Sequence, residues 1–342
     1  KNGIKIYGSL CEGQQIFNLA SDYKDVFYGQ IGNWIQQELI IATGAVDVLA
    51  FDYNCVMPTI SEEFAPKYHT KLISTDKAIR QAGVERLEFE PDKAKEIANK
   101  IMEKAISAFG KRGKVNIPPV KHNAIAGFTT ESVVNALGGS VQPLIDAIAN
   151  GSIKGVAAVV GCTTVREFQS GNHIVSLAKE LISRDILVIG AGCCSSAMQN
   201  ANLMSLDAIN ETGEKLAPVC SSLGVPPCLS YGSCTDIGKI IQTAVAIAET
   251  LGVDVPDLPV VASAPEYMEQ KAVADAFTAV AFGLTLHLAP APPVLGSPNV
   301  TKILTQDVES LIGGKVFVEL DPIKTADAME AHILKKRQSL GL

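Results

Sequence analysis

Short runs of β-branched and aliphatic residues alternate along the chain with longer stretches whose apolar residues recur at helical spacing. The first kind predicts strands at Ile4–Tyr7, Val46–Phe51, Lys71–Ile73, Ala124–Phe128, Val156–Val160, Ile186–Ile189, Cys228–Tyr231, Val260–Ser263 and Leu284–Leu288. The second predicts helices, among them Pro91–Phe109 with Glu and Lys on its outer face, Ile174–Ser183, Thr235–Leu251 and Pro265–Ala281, for which Ser263 and Pro265 supply start signals. Strand then helix, repeated, is the signature of βα units on a parallel sheet. The expected fold class is therefore α/β, with two consecutive Rossmann-like doubly wound domains and mainly parallel sheets. Gly, charge and two prolines interrupt the rhythm from Arg112-Gly113 through Pro118-Pro119, which marks a linker and sets the domains at 1–119 and 120–342. No short-period repeat is evident.

Composition narrows the function. A chain of 342 residues is long for one core, and its 47% hydrophobic against 19% charged residues suits helices packed on buried strands. The net charge of -7, with no Lys/Arg-rich run to offset it, repels phosphate backbones and anionic lipid, so nucleic acid is not an expected partner. No window approaches the roughly 18 to 20 apolar residues of a membrane span. Lys1-Asn2-Gly3-Ile4 lacks the layout of a signal peptide, and a cytoplasmic location is expected. Opening without Met, the chain reads as part of a longer polypeptide. Eight cysteines in a large, acidic, Ala-rich chain argue for metal or redox chemistry over a secreted disulfide scaffold.

Five of these cysteines come just after predicted strands: Cys11, Cys55, Cys162, Cys193 and Cys234. Ligands of open α/β sheets sit at the carboxyl ends of strands, so five such thiols can face one crevice. The glycines of Gly161-Cys162, Gly192-Cys193 and Gly232-Ser233-Cys234 permit tight turns and close backbone approach to a bulky group. Helix N-termini behind those turns favour the metal-binding thiolate. The bland alternative is that each thiol is a small buried hydrophobe. Cys220, in a helical stretch, and Cys228, at a strand start, read that way, while Cys194 neighbours a proposed ligand and acts at most from behind it. Zinc is disfavoured, because the thiols lack the paired short spacing of structural zinc sites.

At Gly161-Cys162, Gly192-Cys193 and Gly232-Ser233-Cys234-Thr235-Asp236 the sequence resembles the C-terminal half of nickel-iron carbon monoxide dehydrogenases, within the hybrid-cluster (prismane) superfamily. The likeness extends through Gln37-Glu38-Leu39, Thr43-Gly44-Ala45-Val46-Asp47, Asn54-Cys55-Val56-Met57-Pro58 and His69-Thr70-Lys71. It continues through Ala178-Lys179-Glu180-Leu181, Ser263-Ala264-Pro265-Glu266 with Lys271, and Pro292-Pro293-Val294-Leu295-Gly296-Ser297-Pro298. This resemblance implies that Cys11, Cys55, Cys162, Cys193 and Cys234 are thiolate ligands of a nickel-iron-sulfur cluster, with Lys271 beside it to stabilise bound anionic groups and help move protons. It implies oxidation of CO with water to CO2, a ferredoxin-like electron carrier and a homodimer. The family's histidine ligand and an upstream helical domain with electron-transfer [4Fe-4S] clusters precede the segment matched here. His69, His122, His173, His287 and His332 read as structural or surface residues.

Two departures bear on the chemistry. Where the family shows Cys-Cys-Thr-Gly-Asn-Glu, this chain has Leu10-Cys11-Glu12-Gly13-Gln14-Gln15, so Glu12 brings a carboxylate next to a ligand. One turn beyond Lys271 an apolar residue is usual, and here stands Asp275, which must pair with Lys271, bind metal or face water. Hard oxygen from Glu12 or Asp275 favours iron over nickel held by sulfur, which opens an alternative: a nickel-free iron-sulfur-oxygen cluster reducing hydroxylamine. A second alternative is a non-catalytic, metal-poor paralogue.

Overall fold

The computed structural model describes residues 3–342 apart from Ala20, Ser21, Lys24, Tyr53, Asn54 and residues 166–170. It forms two compact units. The first takes in residues up to Leu10 together with Tyr23–Lys121, and the second Cys11–Asp22 together with His122–Leu342. The short segment around Cys11 thus belongs to the later unit despite its place in the chain. Among the described residues no helix is long and apolar enough to cross a membrane.

The first unit contains two small parallel sheets. Strand β1 (Ile6–Gly8) pairs with β2 (Phe27–Gln30), while β3 (Val48–Phe51), β4 (Lys71–Ser74) and β5 (Glu85–Arg86) pair in that order. Ile41, Ile60, Ala65 and Leu72 make its core.

In the second unit, β6 (Gly155–Gly161), β7 (Ile186–Gly192), β8 (Cys228–Ser230), β9 (Val260–Ala264), β10 (Thr285–Leu288) and β11 (Val316–Val318) form one parallel sheet ordered β11-β10-β9-β6-β7-β8. From β6 the chain adds β7 and β8 on one side, then returns to lay β9, β10 and β11 on the other. That doubly wound order puts its topological switch between β6 and β9, at whose carboxyl ends such folds bind ligands. Every residue of β6 and β7 is buried, which is why both read as unbroken apolar runs. Ile174, Leu177 and Leu181 of the Asn172–Ser183 helix, and Ala326, Met329 and Ile333 of the Pro322–Ser339 helix, pack in this core at the i, i+3, i+7 spacing of one helical face.

Several local expectations are corrected. Ala124–Phe128 is not a strand: Ile125 N donates to Met204 O (2.8 Å) and Gly127 N to Asn18 Oδ1 (3.1 Å), so this apolar run is fastened to loop and helix rather than to a sheet. The helix expected from Pro265 begins at Gln270 instead; before it, the Glu266 carboxylate accepts from His173 N (3.0 Å) and Tyr267 N donates to Ala289 O (3.2 Å). Strands β2, β5 and β11 are not among the predicted ones. The Leu10–Asn18 helix was also missed.

Candidate metal centre

Three cysteines leave three adjacent strands of the second unit at their carboxyl ends. Cys162 follows β6, Cys193 opens the Cys193–Asn200 helix directly after β7, and Cys234 opens a 3-10 turn (Cys234–Asp236) shortly after β8. Cys11, near the start of the Leu10–Asn18 helix, joins them: its Sγ lies 3.2 Å from that of Cys234 and is hydrogen-bonded with Cys193 as well. All four are buried, and no disulfide joins any of the eight cysteines. The turn after β7 depends on glycine. Gly192 has φ +73°, and a Cβ there would stand 2.9 Å from Gly161 O and 3.0 Å from Cys234 Cβ.

The sulfurs share protons unequally. Hydrogen bonds from Cys193 and then Cys234 hold Cys11 well below the ordinary thiol range, against the opposing effect of burial. Its negative charge in turn keeps the proton on Cys234, which is raised first by that hydrogen bond and then by burial. Burial pushes Cys162 up to about 11, although the Met268 and Glu269 N–H groups donate toward its sulfur.

Two charged residues of the Gln270–Ala281 helix act on this cluster. Lys271, the second residue of the helix rather than a turn inside it, lowers both Cys11 and Cys234 and pairs with Glu269 at 3.1 Å. Asp275 lies one turn on. Burial, and after it the charge of Cys11, pushes its carboxyl up to about 7, and its buried Oδ2 has no hydrogen-bond partner among the described residues.

Other residues hold the frame. The buried Glu266 carboxylate accepts from the backbone N–H groups of Thr164 (2.7 Å), Gly171 (3.1 Å), His173 (3.0 Å) and Ile174 (3.4 Å), tying the chain beyond Cys162 to the end of β9. Cys194 donates its S–H to the Cys162 carbonyl (3.4 Å). Ser233 N and Oγ each donate to Asp236 Oδ2 at 2.8 Å, which fixes the turn carrying Cys234. None of these supports stands out in the sequence, since a carboxylate serving four amides has no spacing rule to betray it.

Cys55 belongs to the first unit, after β3. It is half-buried with φ +46°, and Gln37 clamps its turn by donating to Cys55 O (2.8 Å) and accepting from Met57 N (3.4 Å). Its motif neighbour Asn54 lies outside the described residues. Glu12 is half-buried in the first turn of the Leu10–Asn18 helix.

Among the described residues no three His, Cys, Asp or Glu side chains are arranged to hold a single metal ion. An iron-sulfur cluster asks for something else, separate thiolates on separate irons. The residues fit that demand: soft buried donors, a lysine to offset their charge, a carboxylate oxygen lacking a partner, and a backbone turn with no room for a side chain.

The sequence profile of the Prismane/CO dehydrogenase family matches residues 1–323. The chain belongs to this family. It is 46% identical to a carbon monoxide dehydrogenase of Archaeoglobus fulgidus over 343 aligned positions, covering 99% of this chain and 54% of that protein. A nickel-free crystal structure of carbon monoxide dehydrogenase from Thermococcus sp. AM4 matches with a TM-score of 0.92 at 44% identity, covering 99% of this chain and 53% of the other. Carbon monoxide dehydrogenase IV from Carboxydothermus hydrogenoformans matches at 0.93 and 40% identity, covering 99% and 55%. The chain spans about half the length of the family members it matches.

Proposed function

We propose that this chain is the cluster-bearing part of a carbon monoxide dehydrogenase that oxidises CO with water to CO2, two protons and two electrons. The observation that carries this reading is the meeting of the Cys11, Cys193 and Cys234 thiols beside Lys271 at the carboxyl edge of the β6-β7-β8 sheet. A nickel-iron-sulfur cluster would supply CO binding, activation of water and electron acceptance. Cys11, Cys55, Cys162, Cys193 and Cys234 would hold it. The Lys271 ammonium offsets the charge of the thiolates and of an anionic fragment at the site, and Glu269 keeps it oriented. Asp275 Oδ2 offers a buried acceptor for a proton of the attacking water. Glu12 sits next to Cys11 as a further carboxylate. A longer polypeptide carrying this chain would add [4Fe-4S] clusters able to pass electrons to a ferredoxin-like carrier, in a cytoplasmic homodimer whose domains would divide near residue 119.

The unpartnered Asp275 oxygen favours a second reading on the same scaffold, a nickel-free cluster reducing hydroxylamine, because hard oxygen suits iron. Metal analysis and paired assays of the full-length protein, purified without oxygen, separate the two. Nickel with several irons and sulfide, and CO-dependent reduction of a viologen dye, is the expected result. Iron without nickel, with hydroxylamine reduction, would establish the second reading. Absence of both metals would overturn each of them.

A further inference from the structure

The Leu10–Asn18 helix packs against the rest of the second unit through Cys11, Gln14 and Asn18, residues at i, i+3 and i+7 that share one helical face. A buried helix face is ordinarily apolar, and this one is not. Gln14 is fully buried, and its amide is satisfied on both sides. Nε2 donates to Ser196 Oγ (2.9 Å) and Gln199 Oε1 (2.7 Å), while Oε1 accepts from Gln199 Nε2 (3.0 Å) and Ser230 Oγ (3.3 Å). Ser196 and Gln199 stand on the helix that Cys193 opens. Ser230 ends β8, just before the turn that carries Cys234. One amide, a single turn along the helix from Cys11, is therefore bonded to both elements that present the other two thiols.

We propose that Gln14 is a positioning residue: its amide sets where the Cys11 sulfur stands relative to those of Cys193 and Cys234. A methionine or leucine would fill the same space and keep the helix against the sheet. Apolar contact is non-directional, however, and lets a helix slide or turn by tenths of an ångström. Four hydrogen bonds from one planar group to two elements do not, since each weakens steeply off its preferred geometry. The reciprocal pairing with Gln199 makes the lock specific to a primary amide on each side. This inference rests on the reading that these thiols hold a cluster.

The test uses the full-length protein purified without oxygen, as parent, Gln14→Met, Cys11→Ala and the double variant. Iron and sulfide per chain and the electron paramagnetic resonance spectrum are read, together with iodoacetamide labelling of each cysteine by mass spectrometry. In Gln14→Met the spectrum is expected to shift, and Cys11 to label about tenfold faster, a factor equivalent to ~1.4 kcal/mol. Cys220 and Cys228, core thiols outside the site, should label as in the parent. In the Cys11→Ala background, Gln14→Met should leave the spectrum where Cys11→Ala alone put it. An unchanged spectrum and unchanged Cys11 labelling in Gln14→Met would overturn the proposal, as would equal acceleration at Cys220, which signals general loosening. Should Gln14→Met not fold, Ser230→Ala removes one of the four bonds and is read in the same way. If Cys11→Ala leaves the iron content intact, the assignment of Cys11 as a ligand fails, and Cys11 labelling alone then decides the role of Gln14.

Discussion

His287 shows how one side chain sets a pH limit on stability. It lies on β10, fully buried, with Nε2 2.9 Å from the Glu319 carbonyl and Nδ1 2.8 Å from Ser263 Oγ. A carbonyl only accepts, so Nε2 carries the hydrogen, and Nδ1 accepts from the serine hydroxyl. Protonating Nδ1 would reverse that bond, with Ser263 Oγ accepting, and would put a charge in the buried core. Burial above all, with a smaller contribution from the His173 ring 5.8 Å away, holds His287 down to about 4 against an ordinary 6.5. In that interval the unfolded chain binds more protons than the folded one, so stability is full above about 6.5 and falls as the pH drops toward 4. The loss is on the order of 3 kcal/mol, since one pKa unit is worth about 1.4. His332, held down to about 4 chiefly by burial, adds to the same limb. Urea unfolding from pH 7 to about 4.5 should show this slope, and His287→Asn should flatten it while lowering the plateau, because the imidazole can titrate no longer. A slope identical in both proteins would assign the acid limb to other groups. Read from the sequence as a structural or surface residue, His287 is a core one, and only its partners Ser263 and Glu319, invisible in the sequence, show which.

At the scale of elements, the sheet of the second unit was legible and the helix carrying Cys11 was not, for one physical reason. Strands β6 and β7 bury aliphatic residues on both faces and announce themselves as apolar runs. The Leu10–Asn18 helix is only nine residues long and seats the polar Gln14 beside Leu10 and Cys11 on its buried side, so no long apolar stripe singles that side out. The Gly-Cys steps were legible because a conformational demand accompanies each thiol. Gly192 combines φ +73° with ψ -146°, a region almost closed to other residues, and its backbone passes against Gly161 and Cys234. Gly192→Ala should therefore cost about 2 to 3 kcal/mol and displace Cys234, lowering iron per chain. Gly238, in the Ile237–Leu251 helix with nothing within 4 Å of an added Cβ, supplies the contrast. There alanine should stabilise by about 0.5 to 1 kcal/mol with iron unchanged. Comparable losses in both variants would mean that the turn after β7 is no tighter than an ordinary helix.

For the molecule as a whole, chain order and compactness part company at the N-terminus. Gly and Pro between residues 112 and 119 suggest a simple cut into consecutive domains, and every residue from 109 to 123 is exposed. Yet Cys11–Asp22 belongs with His122–Leu342. Local composition marks where a chain loses regular structure, but it carries no record of a buried amide network formed by residues nearly two hundred positions apart. The consequence can be measured with a specific protease site inserted at Pro118–Pro119 of the full-length protein. Cleavage there severs the covalent link between Gln14 and its partners Ser196, Gln199 and Ser230, but not the hydrogen bonds. Burial of that network should hold the two fragments together, so they should co-elute natively with their iron and separate only in denaturant. Gln14→Met leaves the serine and glutamine partners facing an apolar side chain, a cost of about 1 to 3 kcal/mol for each group left unsatisfied, and should make the nicked protein separate at lower urea. A C-terminal fragment that elutes alone and keeps its iron would show that the Cys11 segment is not needed to hold that metal. It would also reduce the polar face of its helix to a surface attachment.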